Sequence, residues 1–114
     1  MPIPYDDFGG SGPVLHFSHP NAYTPGCFRQ FIAPLTARFR VLAARHRPLW
    51  YLSPGYGAAD NPAAFIDWTW DAIADDLLRF LDERRLEGII GVGHSLGAVA
   101  TMMAARKEPE RFRA

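Results

Sequence analysis

Cys27 is the only cysteine in 114 residues, so no disulfide can close within the chain, and a reducing cytoplasm is the expected compartment. It lies at the start of a predicted helix with no histidine set beside it, and is read as a small buried or half-buried apolar residue rather than a nucleophile. Net charge is missing as well. Twelve basic and twelve acidic residues cancel, which argues against a nucleic-acid partner or an anionic membrane surface. No apolar run approaches the roughly 20 residues that span a bilayer, and residues 1–13 contain no basic start followed by an apolar stretch, so no signal peptide is expected. Neither internal repeats nor low-complexity segments occur, and no cofactor or metal is expected.

What is present is the material of a packed core: 48% of the residues are hydrophobic and 13% aromatic. Residues 1–13, with Asp6, Asp7 and several Gly and Pro, are read as an irregular N-terminus. From Val14 onward the pattern is strand, helix, strand, helix, strand, helix. Val14 to Ser18 is a buried strand, and Phe28, Phe31, Ile32 and Leu35 recur at helical spacing over 27–38, where Pro34 kinks or ends the first segment. A second strand runs from Arg40 to Arg45. A long loop over 46–62, rich in Pro and Gly, follows it; whether Tyr51 to Asn61 meets a substrate stays open. Trp70, Ile73, Leu77 and Leu81 form the stripe of a surface helix over 67–85, with Trp68 and Trp70 read as core aromatics. Asp75 and Asp76 point about 100° apart on such a helix and are read as a solvated face, not a metal or acid dyad. This alternation predicts an α/β fold: three layers, α/β/α, around a partial, mainly parallel sheet within one incomplete domain over 1–114.

The chemistry is concentrated in Gly91-Val92-Gly93-His94-Ser95-Leu96-Gly97-Ala98. A Gly-x-Ser-x-Gly peptide between a short apolar strand and a helix that opens with small residues mounts a serine on a tight turn. Ser95 would stand clear of the backbone there, while Gly93 and Gly97 occupy positions too crowded for a Cβ. The helix that follows points unpaired N–H groups at the site, so the Leu96 N–H is placed to bind an oxyanion.

At these residues the sequence resembles the α/β-hydrolase superfamily, in particular the N-terminal part of a lipase, esterase or haloperoxidase-like member. A second segment carries the likeness: Val14-Leu15-His16-Phe17-Ser18-His19-Pro20-Asn21-Ala22 resembles the strand and loop that end in His-Gly in this family and supply the other oxyanion donor. His19 stands at the family's His, and its side chain is read as holding the turn through backbone hydrogen bonds. Pro20 has no N–H to offer, so the donor is the N–H of Asn21 or of Ala22, with Asn21 favoured. Weaker likeness extends through Trp70 to Leu77 and through Glu108 to Phe112. The resemblance implies a strand order with Val14 to Ser18 between the other two, and a serine hydrolase acting on carboxylic esters or similar small acyl compounds. An Asp at position 95 would instead suggest a dehalogenase or an epoxide hydrolase.

A serine nucleophile needs a base, and usually a carboxylate behind it. The family order is Ser, then acid, then His. Beyond Ser95 the only acids are Glu108 and Glu110, and no histidine follows. His94 is expected to pack or hydrogen-bond beside the elbow; His16 lies within a strand and His46 at a strand end. The resemblance therefore implies a truncated chain whose acid and base lie beyond Ala114, and a last strand with an unpaired apolar edge, from which marginal stability or self-association is expected. The alternative is an inactive fragment or pseudoenzyme that binds a ligand or partner.

Overall fold

In a computed structural model of the chain, residues 2–56 and 68–114 are described. Four strands form one sheet in the order β1-β3-β2-β4, with β1 at Tyr5–Gly9, β2 at Val14–Ser18, β3 at Arg40–Ala44 and β4 at Ile90–Gly93. β2 runs parallel to both β3 and β4, which places it centrally, while β1 is antiparallel to β3. The expected mainly parallel α/β sheet is thus present, with one strand more than expected.

That strand corrects the reading of residues 1–13 as irregular. Asp6 and Asp7 are poor strand formers, but each meets an arginine at β3: Arg45 forks onto Asp6 with both contacts at 3.0 Å, and Arg40 takes Asp7 at 2.5 and 3.2 Å. The ladder continues beyond the strand, where the Arg45 N–H donates to the Pro4 carbonyl at 2.8 Å. On the same N-terminal segment Ile3 is buried and the Tyr5 ring packs on Phe80 at 5.3 Å.

The period-two alternation of β3 sends Val41 and Ala43 to one face of the sheet, Leu42 and Ala44 to the other. The first face is covered by a broken helix: a 3₁₀ turn at Pro25–Phe28, the single α-turn α1 at Arg29–Ile32, and a 3₁₀ stretch at Ala33–Ala37, where Pro34 ends the α geometry. Ile32, Leu15 and Phe17 fill the space beneath it. Cys27 is exposed on this segment, correcting the buried role expected for it.

On the second face lie α2, Trp70–Glu83, and α3, Leu96–Lys107. α2 starts where Thr69 Oγ1 accepts the Ala72 N–H at 3.1 Å, and it buries Leu77, Leu78, Phe80 and Leu81 against Leu42, Trp50, Ile89 and Ala104, with Ile73 buried on the same helix. The three layers are complete. Trp68 and Trp70 are about half exposed, at 54% and 50%, so neither is a core residue; the helix starts before the chain reaches the apolar interior. Asp75 is exposed and bonds Lys107 at 2.8 Å, but Asp76 is buried, correcting its solvated reading. Arg47, in a 3₁₀ turn at Arg47–Leu52 after β3, clamps it with Nε 2.7 Å and an Nη 2.8 Å from the two carboxylate oxygens. The part of the 46–62 loop from 57 onward, and the expected helix start at 67, lie outside the described residues.

The far edge of β4, expected to be bare, is paired over its first half. After a 3₁₀ turn at Pro109–Arg111, the Ile89 N–H donates to Arg111 O at 2.9 Å, the Arg113 N–H to Ile89 O at 2.8 Å and the Gly91 N–H to Ala114 O at 2.8 Å. No helix among the described residues is long and apolar enough to cross a membrane.

Candidate active site

Ser95 occupies the turn between β4 and α3 with φ 55° and ψ −119°, a conformation that L-residues rarely adopt. Its side chain is exposed, and its carbonyl already accepts the Val99 N–H at 3.1 Å as the cap of α3. The flanking glycines are required by contact. A Cβ on Gly93 would lie 2.6 Å from the Gly97 carbonyl and the Ala98 nitrogen, and one on Gly97 would lie 2.0 Å from the Ser18 carbonyl oxygen. The turn folds this tightly because its middle leans on the end of β2, where the His94 N–H donates to Ser18 O at 3.1 Å.

Residues of the elbow and of the loop after β2 line one pocket. The Leu96 N–H, in the first turn of α3, has no acceptor among the described residues. Asn21 is exposed and shares a pocket of about 410 Å³ with Pro20, Tyr23, Phe28, His94 and Ser95. Next to it in the chain Ala22 holds φ 70°, a second strained residue that no glycine announced in the sequence. A larger hollow of about 510 Å³, lined by Tyr5, Arg45, Ser53 and Arg84 among others, includes no residue of the elbow or of the Asn21 loop.

His19 is fully buried, and both its ring nitrogens are spent on backbone. Nδ1 lies 2.7 Å from the Pro20 carbonyl, to which it donates, and Nε2 accepts the His46 N–H at 2.9 Å. This fixes the neutral Nδ1–H tautomer. Burial holds its pKa below the ordinary value, against the pull of the Pro20 carbonyl. His46 is buried with its ring 4.3 Å from that of His19, its Nε2 lacks a partner among the described residues, and burial keeps it well below the usual histidine range. His16, also buried, accepts the Ala44 N–H on Nε2 at 3.0 Å; burial, then the neighbouring His19, push its pKa down to about 3. His94 is exposed, with its ring 6.1 Å from that of Phe28.

All four histidines are thus accounted for, and no ring nitrogen is hydrogen-bonded to Ser95 Oγ. Glu108 and Glu110 lie past the other end of the 12-residue α3, about 18 Å away at the helical rise. Among the described residues no three His, Cys, Asp or Glu side chains group as metal ligands.

An open α/β sheet with a strained serine between a strand and a helix, beside a pocket at the carboxyl ends of parallel strands, defines a class of hydrolase folds. Residues 12–113 match the model of the "Alpha/beta hydrolase family", and the chain belongs to that family. An epoxide hydrolase of Caballeronia sordidicola is 32% identical over 106 residues, covering 92% of this chain and 30% of that protein. A 2-(acetamidomethylene)succinate hydrolase of Mesorhizobium japonicum is 31% identical over 104 residues, covering 91% of this chain and 34% of the relative. A crystal structure of E-2-(acetamidomethylene)succinate hydrolase superposes with a TM-score of 0.76 at 29% identity, over 96% of this chain and 37% of that one. The chain therefore spans about a third of the length of these relatives.

Proposed function

We propose that this chain carries the nucleophile and oxyanion hole of a serine hydrolase acting on carboxylic esters or similar small acyl compounds. The backbone of Ser95 supports the reading most directly, since a strained conformation held by two contact-required glycines keeps the hydroxyl at the mouth of a pocket. Ser95 Oγ attacks the carbonyl carbon, the C=O electron pair moves onto oxygen, and the N–H groups of Leu96 and Asn21 hold the resulting charge. One such donor is worth about 3 kcal/mol in the transition state. Collapse expels the alkoxide, which takes up the proton the serine hydroxyl gave to the base and leaves as the alcohol, and water then cleaves the acyl-serine. A serine, not an aspartate, at position 95 favours acyl transfer over the epoxide chemistry named in some of the relatives. No histidine ring nitrogen is hydrogen-bonded to Ser95 Oγ, and none follows Ser95 in the family's order, so the reading assigns base and acid to residues outside this chain.

That same lack of a base favours a second reading, in which the chain binds a ligand or partner without turnover. A fluorophosphonate separates the two, because it reports nucleophilicity without needing deacylation. The serine-hydrolase reading expects slow, one-to-one labelling of the folded chain that vanishes in Ser95→Ala. A cooperatively melting chain that takes up no probe would overturn it.

A further inference from the structure

The proposed oxyanion hole draws its two donors from different elements: Leu96 from α3 and Asn21 from the loop after β2. Their separation must be held to a fraction of an ångström to be useful, and beside the His94 N–H bond to Ser18 O a side-chain contact joins α3 to the end of β2, from which the Asn21 loop leaves. Thr101, one turn into α3, sets Oγ1 2.8 Å from the Gly97 carbonyl and 3.1 Å from Ser18 Oγ. Ser18 Oγ in turn lies 3.3 Å from His16 Nδ1. A single hydroxyl proton cannot serve two acceptors, so proton bookkeeping fixes the direction. His16 Nε2 accepts from Ala44, hence Nδ1 carries the ring proton and donates to Ser18. The Ser18 proton then faces Thr101, and the Thr101 proton faces Gly97. Every donor meets one acceptor along a one-way chain from β3 through β2 to the carbonyl of the elbow's last glycine.

Ser18 and His16 are buried, at 0% and 1% exposure, so neither hydroxyl nor ring has water to turn to. The chain acts where the elements already press together, with Gly97 lying on the Ser18 carbonyl. Resting on the serine-hydrolase reading, we infer that Ser18 and Thr101 are positioning residues that set the spacing of the Leu96 and Asn21 donors through Gly97 and His19. They do not touch substrate. Their loss acts on the chemical step rather than on binding.

Thr101→Val keeps the shape of the side chain and the methyl facing Gly91, and removes only the hydroxyl. In fluorophosphonate labelling of the 114-residue chain, Thr101→Val is expected to lower the limiting rate constant of inactivation about tenfold, in line with the cost of small misplacements at a donor site. The concentration for half-maximal rate stays within about twofold by the same argument, since uniform binding is untouched. Thr101→Ser restores the rate, Ser18→Ala reproduces the loss, and the double variant loses no more than either single one. In ¹H–¹⁵N spectra, the Leu96 and Asn21 amide signals shift together in Thr101→Val and return in Thr101→Ser. The exposed control Val99→Ala leaves them in place. Unchanged rates in Thr101→Val, or amide signals that move independently, overturn the positioning role. Coupled amide signals in a chain whose serine never labels uphold it and defeat the nucleophile reading instead.

Discussion

Ser95 holds φ 55° and ψ −119° although it carries a Cβ, a state that costs on the order of 1–3 kcal/mol. A glycine takes the same conformation without that cost. Because the Ser95 side chain is exposed and makes no hydrogen bond among the described residues, Ser95→Gly loses no contact. The variant is expected to be more stable by about 1 kcal/mol and unreactive toward fluorophosphonate. Ser95→Ala, which keeps the Cβ, is expected to be unreactive without that gain; urea unfolding of the three proteins checks both. Equal stability of Ser95→Gly and wild type would mean that the turn stores no strain. The elbow was legible because its demands are local: a Cβ at Gly93 or Gly97 would strike atoms within a few residues or on the adjoining strand end. Ala22 was not, since its positive φ carries no glycine to announce it.

Elements that depend on partners distant in sequence were harder to see. β1 has two aspartates in five residues, and both meet arginines, Arg40 and Arg45, that arrive with β3 more than 30 residues later. α2 shows the same limit in its other direction. Its apolar stripe was visible from the spacing of Ile73, Leu77 and Leu81, but Asp76 looked solvated until Arg47 was brought against it. This forked, mostly buried pair fastens the turn after β3 to the helix on the second face. Removing one member leaves the other charge buried, so Asp76→Asn is expected to cost about 3 kcal/mol. Its neighbour is the control: Asp75→Asn, on the exposed face, is expected to cost less than about 1 kcal/mol. Urea midpoints of the two variants decide it, and equal losses would show that the Arg47 clamp adds nothing to the fold.

At the scale of the whole molecule, His16, His19 and His46 join β2, its outgoing loop and the end of β3, a cluster invisible in a sequence that spreads them over 30 positions. Each accepts or donates hydrogen bonds to backbone as a neutral ring, or is packed against one that does. Burial is the first cause of the lowered pKa in all three, with His16 at about 3. The unfolded chain, with ordinary values near 6.5, therefore takes up protons at a pH where the fold does not. Stability is full above about pH 7 and falls as the pH drops below 6.5, by up to about 1.4 kcal/mol per pH unit for each histidine held neutral. Asp7, lowered chiefly by its bond to Arg40, loses its contribution only below the ordinary carboxylate range, in a separate window. Urea unfolding at pH 7.5, 6.0 and 5.0 should show a steep loss of stability between the last two. In His16→Gln that slope should fall by close to one proton, because a glutamine side chain can still accept the Ala44 N–H and cannot titrate. A stability that stays flat from pH 7.5 to 5.0 would mean that these rings are charged, or open to water, in the folded protein.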